Sequence, residues 1–146
     1  MSCSSRPVYE LAGLLKQGAT GAGLGAGKTV GFPYDALSNG TAAHSLELDD
    51  THQAGSIHLG VSIFSTALAL AAYVGCSGKR FISAAVVGFE VAARVAMAVN
   101  PSDHYARGFH PTGTCGAFGA AACAANMLGL DTRQVLWALG IAGSQA

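Results

Sequence analysis

Apolar residues group along the chain into runs at helical spacing, separated by glycine, proline and short polar stretches. The pattern predicts helices over residues 8–17, 33–49, 60–74, 79–99, 114–128 and 132–142. Gly129 is expected to cap one helix, and Asp131 with Gln134 forms a capping-box pattern that starts the next. No region is rich in strand signals and no internal repeat is present. The sequence therefore predicts an all-α fold, a bundle of apolar helices in one domain.

Three glycine-rich or polar segments are expected to be loops: residues 19–27, 51–57 and 102–111. The segment AGLGAGKT, residues 22–29, also matches a relaxed phosphate-loop pattern. A nucleotide-binding loop of that kind needs a buried strand before it and a helix after it. The preceding residues form no strand, and Pro33 falls where the helix would run. The pattern therefore favours a loop leading into a short extended segment.

The composition limits the environments in which this chain can be stable. Residues are 51% hydrophobic and 11% charged, against about 25% charged in an average domain. Such a chain lies near a membrane or forms the interior of a larger protein or oligomer. Residues 59–76 carry no charge and approach the length of a membrane span. Ser62, Ser65 and Thr66 within this run, and Glu90 and Arg94 in the next helix, argue against a membrane.

Charge and cysteine usage exclude further classes. The formal net charge is +0, so there is no electrostatic signature of nucleic-acid binding. The cysteines are scattered without a CxxC pair, which argues against a zinc ribbon or an iron–sulfur cluster. The N-terminus lacks the apolar core of a signal peptide. A cytoplasmic location is expected.

The candidate chemistry is concentrated in residues 39–60. This segment contains three of the five histidines and three of the eight acids of the chain: His44, His52, His58, Glu47, Asp49 and Asp50. One interpretation is structural, a capped helix end with solvated acids. A second is a metal site, with His44 and Glu47 one helical turn apart and His52 and His58 closing round the ion. Helical zinc sites usually pair two histidines one turn apart, and His44 has no such partner.

The third interpretation is acid–base catalysis without a metal. Asp50, Thr51 and His58 would be presented together by the loop, and histidine can take up or return a proton near neutral pH. The second polar loop adds Arg107, a cation for a carboxylate, and His110, another proton carrier. Two such loops suit a cleft that closes on a small carboxylic acid.

Three motifs carry a family resemblance: NGTAAHSLELDDTHQAGSIHLG, GFHPTGTCGAFGAAACAANMLGLD and ALGIAGSQA. From about Val8 onward, the chain resembles the 2-methylcitrate dehydratase / cis-aconitate decarboxylase family, MmgE/PrpD. The resemblance implies a helical domain, present here in part and truncated at both ends, and an absent α+β domain. It also implies homodimers, a cytosolic or mitochondrial setting, and chemistry on small carboxylic acids with no metal or organic cofactor.

The resemblance assigns residue roles by position. Thr51 and His58 fall on the family's active-site Thr and His, and His110 falls on the His of its HPT motif. Glu47 falls where some members have an active-site Asp, which keeps the carboxylate on a longer side chain. The segment from Thr51 to His58 is one residue longer than in some decarboxylases, and a leucine replaces the proline that commonly follows His58. The family's catalytic Lys and Tyr lie outside this sequence.

Together these observations predict a lyase that dehydrates 2-methylcitrate or a related hydroxy acid. His58, His110 and Thr51 are the predicted catalytic residues, and Glu47, Asp50 and Arg107 are the predicted substrate-binding residues. Decarboxylation of cis-aconitate or epimerisation of a dicarboxylate would need the same histidines and stays open. A catalytically silent fragment or a helical interaction module is the alternative from another class.

Overall fold

The computed structural model describes residues 6–14 and 31–146. Within these ranges the chain forms α-helices joined by short connections and one 3₁₀ turn, Gln53–Gly55. The helices are α1 Arg6–Leu14, α2 Tyr34–His44, α3 Leu59–Val74, α4 Gly78–Ala98, α5 Pro101–Ala106, α6 Pro111–Leu128 and α7 Thr132–Gln145. The described residues contain no strand, only an isolated bridge between His52 and Ile57. The predicted all-α class is confirmed.

Two predicted elements need correction. The helix expected over residues 33–49 ends at His44, and Glu47 has a φ of +53°, which no α-helical residue adopts. The segment 102–111, expected to be a loop, includes most of α5. Pro101 occupies the first turn of α5, and Asn100 Nδ2 donates to Asp103 Oδ2 at 2.8 Å beside it. Residues 15–17 of the first predicted helix and the phosphate-loop-like segment 22–29 lie outside the described ranges.

Local capping signals are confirmed where the structure tests them. Asp131 and Gln134 form a reciprocal capping box at the start of α7. Gly129 ends α6 in the left-handed conformation with φ +70°. These ends are fixed by contacts within a few residues, which is why the sequence alone predicts them.

The core is formed by α3, α4 and α6. The start of α4 meets the end of α6, where Arg80 donates to the carbonyls of Asn126 and Met127, so these two helices are antiparallel. Glycine allows the close approach: a Cβ at Gly119 would lie 2.7 Å from the Cβ of Ala92 and 2.9 Å from the carbonyl oxygen of Gly88. The α3 and α6 helices instead start side by side and run parallel, which places their N-termini together.

Among the described helices, α4 is the one whose length and composition would allow it to cross a membrane. Helices buried in the cores of soluble proteins often have the same length and composition, so this property is weak evidence for a membrane span. The uncharged run over residues 59–76 forms α3, a shorter helix of 16 residues, with its buried face in the core.

Candidate active site

The N-termini of α3 and α6 meet at one end of the core. His58 and His110 occupy the N-cap positions of these two helices, both with extended backbone. The buried Thr112 joins them, because its Oγ1 accepts a hydrogen bond from the His58 backbone N–H at 3.1 Å. The two predicted catalytic histidines are therefore brought to adjacent helix starts, where partial positive charge favours an anion.

His44, the last residue of α2, lies against His58. The two imidazole rings are 4.8 Å apart in an edge-to-face arrangement. His44 Nδ1 lies 3.1 and 3.0 Å from the two carboxylate oxygens of Asp49. Its Nε2 lies 3.5 Å from Glu47 Oε1. From the sequence, His44 is a possible metal ligand and Asp49 one of the clustered acids, but neither is among the predicted catalytic or substrate-binding residues.

His58 faces the same two carboxylates. Its Nδ1 lies 3.4 Å from Asp49 Oδ2 and its Nε2 lies 3.7 Å from Glu47 Oε2. The buried Nδ1 makes no hydrogen bond within the described residues, so Asp49 is a close neighbour of this atom at 3.4 Å and not a hydrogen-bond partner. Asp49 is 11% exposed and Glu47 69%. The two imidazoles thus lie between an inner carboxylate and an outer one.

The segment between α2 and α3 is anchored by Asp50. Its Oδ1 accepts a hydrogen bond from the Gly60 backbone N–H at 2.9 Å, in the first turn of α3. A Cβ at residue 60 would overlap this carboxylate oxygen, so a larger residue there would displace the Asp50 side chain. This contact gives Asp50 a structural role beside its predicted one in substrate binding. Thr51 is exposed at the start of the same segment and makes no hydrogen bond within the described residues.

His110 and His44 line one groove between α2, α3 and α6, with a volume of about 590 Å³. Hydroxyl groups of Ser62, Thr66 and Thr112 are also on its walls. The volume falls in the range of small-molecule sites. His110 is exposed and its ring packs edge-to-face on Tyr105 at 5.6 Å. The groove can therefore admit a small acid beside His110 and His44, whereas His58, Glu47 and Thr51 are not among its lining residues.

The other two histidines and Arg107 lie elsewhere. His52 Nδ1 accepts a hydrogen bond from Gly55 N at 3.1 Å and caps the 3₁₀ turn. His104 Nε2 lies 2.7 Å from Thr114 Oγ1. Arg107 lines a separate cavity with His104 and Thr114, so the structure does not bring it together with His58. Its predicted role in substrate binding is not supported by this placement and stays a prediction.

The chain matches the sequence profile of the MmgE/PrpD N-terminal domain over residues 3–146. The chain belongs to the MmgE/PrpD family.

Three relatives of this MmgE/PrpD chain are named as cis-aconitate decarboxylases or as decarboxylase-like. The cis-aconitate decarboxylase-like protein oryM of Aspergillus oryzae is 36% identical over 131 residues, covering 84% of this chain and 27% of that protein. Cis-aconitate decarboxylase of Aspergillus terreus is 31% identical, with 84% and 26% covered. The Homo sapiens cis-aconitate decarboxylase is 33% identical, with 77% and 24% covered. The chain spans about a quarter of the length of these relatives. No solved structure matches it.

Proposed function

We propose that this chain forms one wall of the active site of a lyase that acts on a small di- or tricarboxylic acid. The observation that carries the proposal is the Thr112 hydrogen bond, which fixes two histidine-bearing helix starts side by side. The paired N-termini favour the carboxylates of such a substrate. His58 and His110 provide groups that exchange protons near neutral pH.

We further propose that the reaction is decarboxylation of cis-aconitate, because the relatives named above carry that activity in their names. In such a reaction the bond to a carboxyl carbon breaks, CO₂ leaves, and a proton is delivered to the carbon skeleton. A protonated imidazole of His58 or His110 would supply that proton. Thr51 would hydrogen-bond a substrate oxygen, and Glu47, beside both His44 and His58, would hold the imidazoles in position. Dehydration of 2-methylcitrate would use the same groups differently: one imidazole would take the proton from the carbon beside a carboxylate, and the other would protonate the hydroxyl group, which leaves as water.

A chimeric enzyme provides the test of activity and substrate. The segment of the Aspergillus terreus decarboxylase that corresponds to this chain is replaced by this chain, which spans about a quarter of that protein. Turnover of cis-aconitate and of 2-methylcitrate is then followed by NMR. Itaconate-forming decarboxylation supports the proposal. Turnover of 2-methylcitrate alone would reassign the reaction to dehydration, and a folded chimera inert toward both would favour a catalytically silent module.

His58→Ala and His110→Ala in the active chimera are each expected to lower kcat by about 10²–10⁴-fold, the usual contribution of a general acid or base. His52→Asn is the matched control, because asparagine keeps a side-chain acceptor for the 3₁₀ turn. This histidine lies on the same segment as His58 and caps that turn. If both alanine variants keep full activity, the assignment of these residues fails.

A further inference from the structure

We propose that His44, Glu47 and His58 form a binding site for a divalent transition-metal ion such as Zn²⁺, and that the bound ion inhibits the enzyme. The binding part of this proposal depends only on the geometry of this chain. The inhibition part rests on the proposed acid–base role of His58.

The possible ligand atoms of the three side chains are already separated by distances close to those between the ligands of one bound metal ion. Their possible ligand atoms lie within 4.8 Å of one another. Two ligand atoms about 2.1 Å from one tetrahedral ion are about 3.4 Å apart. The observed separations from Glu47 to His44 Nε2 and to His58 Nε2 are 3.5 and 3.7 Å. Binding therefore needs only small rotations of side chains.

Asp49 prepares both imidazoles for this role. A carboxylate only accepts hydrogen bonds, so its contact with Nδ1 of His44 at 3.0 Å favours a proton on that atom. Nδ1 of His58 has no hydrogen-bond partner among the described residues, but it lies 3.4 Å from the same carboxylate, so a small rotation of the ring would give it that acceptor. The lone pair of His44 is then on Nε2, on the side of Glu47, and His58 also turns its Nε2 toward Glu47. Histidines that bind metals usually donate their other ring N–H to a carboxylate in this way.

The set differs in composition from an acidic surface patch. It combines two imidazoles and one carboxylate, donors that suit zinc and other late first-row ions better than calcium or magnesium. His58 is 19% exposed and Glu47 69% exposed, so an ion can enter from solvent and keep water as a further ligand. The left-handed backbone of Glu47, at φ +53°, is the conformation that turns this acid toward both rings.

Occupation of the site would remove the proton chemistry. The ion would take the Nε2 lone pair of His58, which could then neither accept nor deliver a proton. Glu47 would be engaged at the same time. The expected effect on the enzyme is reversible inhibition that a chelator relieves.

Binding is measured on the chain itself, without any assay of activity. The chelator-treated chain is titrated with Co²⁺, followed by its visible absorption, and Zn²⁺ is then added as a competitor. We expect one ion per chain with a low-symmetry, four- or five-coordinate spectrum. His44→Ala and His58→Ala should each lower affinity by at least about tenfold, and Asp49→Asn by about 10–100-fold. His52→Asn, the control outside the cluster, should bind as the unaltered chain does.

A second measurement needs no variant. Zn²⁺ should shift the ¹H–¹⁵N imidazole signals of His44 and His58 at Nε2, and leave those of His52 and His104 in place. A shift confined to His52, His104 or His110, or equal affinities for the unaltered chain and both alanine variants, would overturn the site.

The inhibition is tested separately on the chimera that turns over substrate. Loss of activity with Zn²⁺ and recovery with EDTA supports the proposal. Full activity at saturating Zn²⁺, or activation by it, overturns inhibition. An inert chimera would defeat the lyase assignment, whereas the Co²⁺ and NMR measurements would still decide whether the ion binds.

Discussion

The carboxylate of Asp49 is nearly excluded from water while it contacts two imidazoles. A buried carboxylate is costly unless it is paired or hydrogen-bonded. Here both oxygens lie within 3.1 Å of His44 Nδ1, and one also lies 3.4 Å from His58 Nδ1. Asp49 therefore orients the ring of His44 by hydrogen bonding and lies in contact with the ring of His58.

Cys123 is a residue whose environment gives a prediction about pH. Burial, with a smaller contribution from Cys76, raises the pKa of the Cys123 thiol to about 11. An unfolded cysteine has a pKa of ~8.5. Between these values the unfolded chain loses the thiol proton while the folded chain keeps it. We therefore expect the free energy of unfolding to decrease as pH rises from ~8.5 toward 11.

The measurement is denaturant unfolding at a series of pH values for the chain and for Cys123→Ala. The variant should lose this part of the pH dependence. Alkylation followed by mass spectrometry gives a second readout: Cys123 should stay unmodified at pH 8 in the folded chain and react after unfolding, since the thiolate is the reactive form. Rapid modification of the native Cys123 would contradict the raised pKa.

At the scale of elements, one hydroxyl group holds the starts of α3 and α6 in register. Thr112→Val keeps the shape of the buried side chain but removes the hydroxyl group that accepts the hydrogen bond from the His58 backbone N–H. We expect a loss of about 1–3 kcal/mol of stability, the cost of an unsatisfied polar group. In the chimera it should also lower kcat by misplacing His58.

Thr112→Ser is the matched control, because it keeps the hydroxyl and removes only a methyl group. Thermal and denaturant unfolding of the two variants provides the comparison. Equal stability of the valine and serine variants would show that the hydrogen bond contributes little.

The contact between α4 and α6 depends on glycine. In Gly119→Ala the new Cβ would lie 2.7 Å from Ala92 Cβ and 2.9 Å from the Gly88 carbonyl oxygen. Overpacking of this kind typically costs about 1–3 kcal/mol. Gly140→Ala in α7 meets no atom within 4 Å, so it should be neutral or stabilising by up to about 1 kcal/mol through helix propensity. Denaturant unfolding of both variants measures the difference, and a stabilised Gly119→Ala would refute the close packing.

At the scale of the whole molecule, apolar surface is abundant and charge is scarce. The sequence has 11% charged residues. Large side chains such as Leu136, Trp137 and Ile141 on α7, and Ile82 and Val86 on α4, are more than half exposed. Apolar patches of this kind usually mark surfaces that associate.

The isolated chain is therefore expected to self-associate as its concentration rises. Sedimentation velocity over a range of concentrations measures this. A double variant, Leu136→Lys with Ile141→Lys, should shift the distribution toward monomer, because it places two charges on the exposed apolar surface of α7. A monomer that persists at the highest concentration would contradict the prediction.

The sequence by itself determined the helical class, the cap of α6 and the start of α7, because these depend on spacing and on contacts between near neighbours. The motifs also predicted catalytic roles for His58 and His110, and those roles stay predictions. Two elements were predicted wrongly, because polar residues are compatible with either conformation. Residues 45–49 were expected to continue α2 and are not helical, whereas residues 102–106 were expected to be a loop and belong to α5.

Only the tertiary structure decided which groups meet. Sequence spacing gave His44 no histidine partner, yet the packing of α2 beside the start of α3 supplies His58. Arg107 lines a different cavity, with His104 and Thr114. The physical reason is that helix periodicity is a local property, whereas the meeting of side chains from different helices depends on how those helices pack in three dimensions.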